Sequence, residues 1–224
     1  MQTAVDELQA KGVAARTAAR ALAKLQSDVK DQALLNIADG LSSGRQEILD
    51  ANQRDYAEAE RNALTDAMLD RLLMTPERLD SIANDVRNVV SLPDPVGETM
   101  DMRTMPNGLQ VGKRRVPLGV IGAIYESRPN VTVDMSALCL KSGNSVILRG
   151  GKEAIETNGA FASMIRDSIN AAGGPEDAVQ FIESTDRALV GAMLKMKDTI
   201  DLIIPRGGQE LIRRVADEAA MPAI

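Results

Sequence analysis

The sequence predicts an α/β fold in which N-terminal helices and a β-hairpin precede an incomplete, doubly wound parallel sheet. Three observations support this prediction. Helical periodicity dominates residues 3–91, a hairpin turn signal follows, and apolar runs then alternate with helical runs up to residue 220. Apolar strands separated by helices are typical of a parallel sheet that is covered on both faces.

The first segment, residues 1–95, is predicted to form helices in series. Ser27 is a candidate N-cap for a helix with apolar residues at helical spacing, and Gly44 lies beyond its end. Thr75-Pro76 supplies an N-cap followed by proline at the first helical position. Pro93 and Pro95 end the last helix, because proline cannot continue a helix, and this is the clearest boundary in the chain.

The second segment, residues 96–116, has the pattern of a β-hairpin. Glu98–Met105 and Leu109–Val116 flank Pro106-Asn107-Gly108, which is a turn signal. A hairpin between a helical block and an α/β unit cannot bury both of its own faces. It is therefore either a plain surface hairpin or an oligomerisation arm, and its unpartnered apolar residues predict self-association.

The third segment, residues 117–224, is predicted to be a nucleotide-binding α/β domain that lacks the C-terminal part of its sheet. Met221–Ile224 has the pattern of the beginning of a fifth strand. The predicted strands are Val120–Tyr125, Ser145–Leu148, Val179–Ile182 and Leu202–Ile204. The predicted helices are about Thr132–Lys141, Lys152–Ala171, Thr185–Lys195 and Gln209–Ala220.

Composition excludes several kinds of chemistry. The chain has 224 residues, no histidine and a single cysteine, Cys139, so Ser-His triads, an internal disulfide and a multi-cysteine metal site are excluded. A net charge of −6 and the near absence of aromatic residues argue against a nucleic-acid partner. No apolar run is long enough to span a membrane and the N-terminus lacks a secretory pattern, so we expect a cytoplasmic protein.

Two similar turns are the strongest signal for a ligand. Arg149-Gly150-Gly151-Lys152 and Arg206-Gly207-Gly208 each follow an apolar strand and precede a helix. Glycine allows close approach of the backbone, and free amides at a helix N-terminus favour an anion, so the pair predicts a ligand with two anionic groups. The alternative is that both are ordinary strand-to-helix turns with solvated arginines. The usual G-x-G-x-x-G fingerprint does not follow the first strand of the sheet.

The loop after that strand, Glu126–Asn130, lies where open α/β sheets bind ligands. The Asn130 amide is a neutral donor that could stabilise an oxyanion, although the residues alone favour an N-cap for the helix near Thr132. Cys139 has apolar neighbours at helical spacing and no histidine to activate it. It is predicted to be a core residue rather than a nucleophile.

Val116–Asn158 and Pro205-Arg206-Gly207-Gly208 closely resemble the glutamate-5-semialdehyde dehydrogenase (gamma-glutamyl phosphate reductase) family of the aldehyde dehydrogenase superfamily. The family reduces gamma-glutamyl phosphate with NADPH to glutamate 5-semialdehyde and phosphate in proline biosynthesis. The resemblance implies that residues 117–224 bind NADPH and that the hairpin is the arm of a homo-oligomer.

The resemblance also implies roles for individual residues. Asn130 matches the oxyanion-binding asparagine, and Lys152 would accept the 2′-phosphate of NADPH. The remaining matches are Arg149, Gly150 and Gly151 at the adenosine ribose, and Arg206, Gly207 and Gly208 near the pyrophosphate. The family's nucleophilic cysteine lies in a second domain that this chain does not reach, so we expect the chain alone to be inactive. The alternatives are a non-catalytic nucleotide-binding or oligomerisation module, or part of another aldehyde dehydrogenase relative.

Overall fold

The computed structural model describes residues 2–224 and shows helices, a hairpin and a parallel sheet in the predicted order. The N-terminal helices are α1 Gln2–Leu22, α2 Ser27–Ser43, α3 Arg45–Arg61, α4 Asp66–Leu72 and α5 Pro76–Ser91. The hairpin strands are β1 Thr99–Thr104 and β2 Gln110–Arg114. The α/β part consists of β3 Val120–Tyr125, α6 Asn130–Lys141, β4 Ser145–Arg149, α7 Ile155–Ala171, β5 Val179–Phe181, α8 Ala188–Met193, β6 Leu202–Arg206 and α9 Gln209–Glu218.

Within the described residues, β3 to β6 form a four-stranded parallel sheet in the order β5-β4-β3-β6. The sheet is buried on both faces, as the continuous apolar strands predict. Alternate residues of β3 divide between the two faces, so that Ile121 and Tyr125 pack with α2, α5, α6 and α7. Val120 and Ile124 pack on the opposite face with α1 and α8. The N-terminal helices thus cover the sheet rather than standing apart from it.

Most of the predicted element bounds are confirmed, and the differences have local causes. Thr75 caps α5 by accepting a hydrogen bond from the Arg78 amide (3.2 Å), with Pro76 at the first position. The prediction that Ser27 is an N-cap is wrong, because its hydroxyl donates to the Asp94 carboxylate instead (2.6 Å). Helix α7 begins later than predicted, since Lys152–Ala154 form a single 3-10 turn before it.

The last residues of the chain also follow the prediction of a fifth strand. Ala223 pairs in parallel with Ile203 of β6, and the Ile203 amide donates to the Pro222 carbonyl (2.9 Å). Residues 222–224 therefore extend along the outer edge of β6, as expected for the beginning of another strand.

The hairpin forms as predicted and its strands are exposed except at Met100. Its exposed apolar side chains include Met102, Leu109 and Val111.

Candidate functional site

The sheet register brings the two Arg-Gly-Gly turns to one edge. β3 lies between β4 and β6, with Ile124 paired to Arg149 and Tyr125 paired to Arg206. Both turns therefore flank the carboxyl end of β3, where open α/β sheets bind ligands. Because neighbouring residues of a strand point to opposite faces, the one-residue offset places the side chains of Arg149 and Arg206 on opposite faces of the sheet.

A cleft of about 220 Å³ opens on the Arg149 face of this edge. Of the predicted cofactor-binding residues, Arg149, Gly151 and Lys152 line it, whereas Gly150, Arg206, Gly207 and Gly208 do not. The first residues of α9 and the segment before α8 supply the opposite wall. The charged side chains that line it are Glu126, Arg149, Lys152, Glu153, Arg187, Glu210 and Arg214. The surplus of arginine and lysine over glutamate makes the cleft suited to an anionic ligand.

Arg149 is held at the floor of this cleft. Its two terminal nitrogens donate to the Gly150 carbonyl (2.7 Å) and the Thr185 carbonyl (3.3 Å). Its Nε is buried and has no hydrogen-bond partner among the described residues. Burial lowers the pKa of Arg149, an effect that the nearby Glu153 and Glu126 carboxylates oppose. The guanidinium stays charged and therefore places a fixed cation at the cleft.

Glycine in both turns allows other side chains to lie close to the backbone. An added Cβ at Gly150 would meet the side chain of Asn158 and the Tyr125 ring, the latter at 3.2 Å. An added Cβ at Gly207 would meet the Glu126 carboxylate. That carboxylate accepts a hydrogen bond from the Gly208 amide (2.9 Å), at the N-terminus of α9. The anion site predicted at this turn thus holds a carboxylate of the protein itself.

A second carboxylate joins the β3–α6 loop to the first turn. Glu153 accepts hydrogen bonds from the Ser127 amide (2.7 Å) and the Ser127 hydroxyl (2.9 Å). Ser127 has a φ of 51°, a left-handed conformation that these two bonds stabilise. None of Glu126, Ser127 and Glu153 received an individual role from the sequence. For Glu153 the available signal was its position two residues after Gly151, whereas Glu126 is far from Gly208 in the sequence.

Asn130 lies on the other face, at the first position of α6. Its side chain does not cap the helix, so the prediction from the residues alone is wrong; its Nδ2 donates to Asp134 one turn later (2.9 Å). Burial raises the pKa of Asp134, while the nearby Arg206 and the Asn130 bond act in the opposite direction. The bond to Asp134 orients the amide, which retains a second N–H for a ligand oxygen.

Asn130 also lines a second cleft, of about 290 Å³. This cleft separates the β3–α6 loop from α4 and α5 of the N-terminal helical segment. Its charged lining consists of Asp70, Arg71, Arg78, Asp85 and Arg128. The edge of the sheet therefore carries two charged clefts, one on each face, with the β3–α6 loop between them.

Cys139 lies in α6, away from both clefts, and its side chain is buried, as predicted. Burial raises the pKa of its thiol to about 12. A thiol in this environment stays protonated at neutral pH, and only the thiolate is a good nucleophile. Cys139 is therefore a core residue.

The fold and this edge of the sheet define the class of protein. The aldehyde dehydrogenase family model matches residues 2–223, and the chain belongs to that family. It is 54% identical over 224 residues to the gamma-glutamyl phosphate reductase of Dehalococcoides mccartyi, covering all of this chain and 53% of that protein. The chain spans about half the length of the curated relatives it matches. In the part of the chain that the structure describes, no helix has both the length and the apolar character needed to cross a membrane.

Solved structures of gamma-glutamyl phosphate reductases are also similar to this chain. The gamma-glutamyl phosphate reductase of Thermotoga maritima is similar with a TM-score of 0.95 and 41% identity, over 97% of this chain and 52% of that one. The gamma-glutamyl phosphate reductase of Saccharomyces cerevisiae is similar with a TM-score of 0.89 and 32% identity, over 96% of this chain and 55% of that one. These similarities extend from the N-terminal helices through the sheet.

Proposed function

We propose that this chain is the cofactor-binding part of an NADPH-dependent reductase of proline biosynthesis. The reaction converts gamma-glutamyl phosphate, NADPH and a proton into glutamate 5-semialdehyde, NADP⁺ and phosphate. The observation that carries the proposal is the arrangement of both Arg-Gly-Gly turns and the Asn130 loop around the end of β3. Similarity over the whole chain to reductases of gamma-glutamyl phosphate supports it.

The residues of the first cleft fit a phosphorylated dinucleotide. Arg149, whose guanidinium lines the cleft, and Lys152, which is exposed, would hold the adenosine ribose and its 2′-phosphate, beside Gly150 and Gly151. At the second turn the backbone of Gly207 and Gly208 would face the pyrophosphate, displacing the Glu126 carboxylate from the Gly208 amide. When bound, the cofactor supplies the hydride for the acyl carbon.

Arg206, which the resemblance placed near the pyrophosphate, would instead act on the other face of the sheet. Its charge opposes the rise in the pKa of Asp134, and Asp134 in turn orients the Asn130 amide. The free N–H of Asn130 would donate to the oxygen of the substrate acyl group as negative charge develops there. Such a fixed neutral donor stabilises the tetrahedral oxyanion without exchanging a proton.

The thiolate that forms a thioester with the acyl group is not Cys139, because that thiol is buried and has a raised pKa. We expect it from a further part of the enzyme.

The proposal also divides the chain into a helical segment (1–95), a hairpin (96–116) and the nucleotide-binding domain (117–224). It includes a homo-oligomer, supported by the exposed apolar hairpin, and a cytoplasmic location, supported by the ordinary globular composition.

The cofactor assignment is tested by calorimetric titration of the protein with NADPH and with NADH. NADPH should bind at least about 10-fold more tightly, because a charge-assisted contact to the 2′-phosphate contributes roughly 1.5–3 kcal/mol. Lys152→Glu should abolish the preference, whereas Lys197→Glu, a matched change outside the cleft, should preserve it. Equal affinities of the unmodified protein for both cofactors would refute the ribose assignment. Failure to bind either cofactor would count against the cofactor site itself.

A further inference from the structure

The cleft beside Asn130 carries charges that the cofactor does not use. It lies between α4 and α5 on one side and the β3–α6 loop on the other. Arg78 and Asp70 in its wall are paired with each other, with the Arg78 Nη2 2.7 Å from the Asp70 carboxylate. That pair needs no ligand to satisfy its charges.

Three other charges of this cleft have no partner within the described part of the chain. Arg71 at the end of α4, Asp85 on α5 and Arg128 before α6 make no side-chain hydrogen bond or ion pair within residues 2–224. Arg71 and Arg128 supply two cations and Asp85 supplies one anion. A cleft with this charge pattern is complementary to a ligand with two anionic groups and one cationic group.

We infer that this cleft recognises the amino-acid end and the phosphate of an acyl phosphate substrate. The assignment rests on the proposed function, in which the substrate acyl carbon lies against Asn130. Arg71 binds the α-carboxylate of the glutamyl group, Asp85 binds its α-ammonium group, and Arg128 binds the phosphate. The volume of about 290 Å³ suits a metabolite smaller than the drug-sized ligands of larger pockets.

The positions of the residues support this division of roles. Arg128 is two residues before Asn130, on the same loop, so it lies at the end of the cleft where the reacting acyl phosphate would be. Arg71 belongs to the N-terminal helical segment, across the cleft from that loop. Asp85 is close enough to Asp134 to raise the pKa of its carboxyl, which places it within electrostatic reach of the Asn130 site. The helical segment thus contributes substrate specificity as well as packing.

The test matches each variant with a substrate that lacks the corresponding group. The complete enzyme, of which the proposed function makes this chain a part, is assayed for phosphate-dependent reduction of NADP⁺. The aldehydes are glutamate 5-semialdehyde, 5-oxopentanoate (which lacks the amino group) and 4-aminobutanal (which lacks the carboxylate). Arg71→Gln should lower kcat/KM roughly 10- to 100-fold for the two carboxylate-bearing aldehydes and leave 4-aminobutanal within about 3-fold.

The complementary variants follow the same logic. Asp85→Asn should lower kcat/KM roughly 10-fold for the two amino-bearing aldehydes and spare 5-oxopentanoate. Arg128→Gln should raise the KM for phosphate by at least about 10-fold. Arg87→Gln is the matched control, because Arg87 lies on α5 and pairs with exposed Asp39 (3.1 Å) outside the cleft.

The outcomes test the recognition cleft separately from the proposed function. Losses that depend on the matching substrate group support the recognition cleft. Equal losses for all three aldehydes, or variants that behave like Arg87→Gln, overturn it while leaving the proposed function in place. An unmodified enzyme that does not turn over glutamate 5-semialdehyde overturns both. Because Arg71, Asp85 and Arg128 are exposed, thermal unfolding of the variants should match that of the unmodified protein.

Discussion

The Asp94 carboxylate neutralises a lysine that is almost completely buried. Lys30 is 1% exposed, and its ammonium group forms an ion pair with Asp94. The ammonium group also donates to the Lys141 carbonyl, at 3.4 Å. Asp94 also accepts hydrogen bonds from the Ser27 hydroxyl (2.6 Å) and the Val96 amide (2.9 Å). This one carboxylate therefore joins α2 to the proline-containing segment that follows α5.

Asp94→Asn should destabilise the protein by about 3 kcal/mol. Removing one partner of a buried ion pair typically costs about 3–5 kcal/mol, because the remaining charge is left buried without compensation. We take the lower end, since the asparagine oxygen still accepts a hydrogen bond and Lys30 keeps the Lys141 carbonyl. With an m-value of about 3 kcal/mol/M, the midpoint of urea unfolding should fall by about 1 M with the m-value unchanged.

Asp39→Asn is the control, because Asp39 forms an ion pair with Arg87 but its side chain is 77% exposed. It should cost less than about 0.5 kcal/mol. The double variant Lys30→Met with Asp94→Asn should be more stable than Asp94→Asn alone, because it removes the unpaired charge. If Asp94→Asn were as mild as Asp39→Asn, the dependence of buried Lys30 on Asp94 would be refuted.

The same carboxylate gives a pH dependence with a definite sign. Burial of Asp94 acts to raise its pKa, but the hydrogen bonds from Lys30, Ser27 and Val96 outweigh it, and the pKa lies below its ordinary value of 3.8. A lowered pKa contributes stability that is fully present above the unfolded value and is lost as the pH falls through the folded value. The difference in stability between the unmodified protein and Asp94→Asn should therefore be constant from about pH 5 to 7 and shrink below about pH 4.

Three further predictions concern the core, a glycine with positive φ and the hairpin. A thiol reagent should label Cys139 at least about 100-fold more slowly in the native protein than in urea, because the thiol is buried. For the same reason this 224-residue chain should not reduce NADP⁺ with glutamate 5-semialdehyde. Turnover that Cys139→Ala abolishes would contradict the assignment of Cys139 to the core. Gly119→Ala should lower the free energy of unfolding by roughly 2–4 kcal/mol, because φ is 122° and the new Cβ meets Asp201. Gly173→Ala is the control, since its φ is 80° but the space around it is open, and it should lower the free energy of unfolding by about 1 kcal/mol. Urea unfolding measures both. Sedimentation should show self-association that Met102→Asp and Val111→Asp together weaken, and a stable monomer at all concentrations would refute the role of the hairpin.

The features that were predictable from the sequence depend on neighbouring residues. The bounds of β3 follow from a continuous apolar run, and the start of α5 follows from Thr75-Pro76, whose capping contact spans three residues. The two Arg-Gly-Gly turns were recognisable because each strand, turn and helix is consecutive in the chain. Hydrophobic periodicity and cap chemistry act over one or two turns of backbone, so they predict where a helix or strand begins and ends.

The wrong prediction for Ser27 and the features that the sequence did not indicate involve partners that local patterns do not contain. Ser27 has the chemistry of an N-cap, but Asp94 from a distant segment takes its hydroxyl. Glu126 contacts Gly208 although many residues separate them in the chain. The second cleft needs α4, α5 and the β3–α6 loop to meet, and nothing in the helical periodicity of α4 indicates which element will face it. Contacts of this kind depend on tertiary packing, so a local preference is a weak guide to them.

The two arginines show most clearly why strand order matters for the site. In the sequence, Arg149 and Arg206 occur in nearly identical turns, and the local pattern does not show that they lie on different faces of the sheet. In the sheet, β4 and β6 flank β3, but Arg149 pairs with Ile124 and Arg206 pairs with Tyr125. Since side chains alternate along a strand, this single-residue offset directs Arg149 to the face of the first cleft and Arg206 to the face that carries Asn130. One repeated motif can therefore supply a cation to each side of the same edge, where the proposed cofactor and substrate would meet.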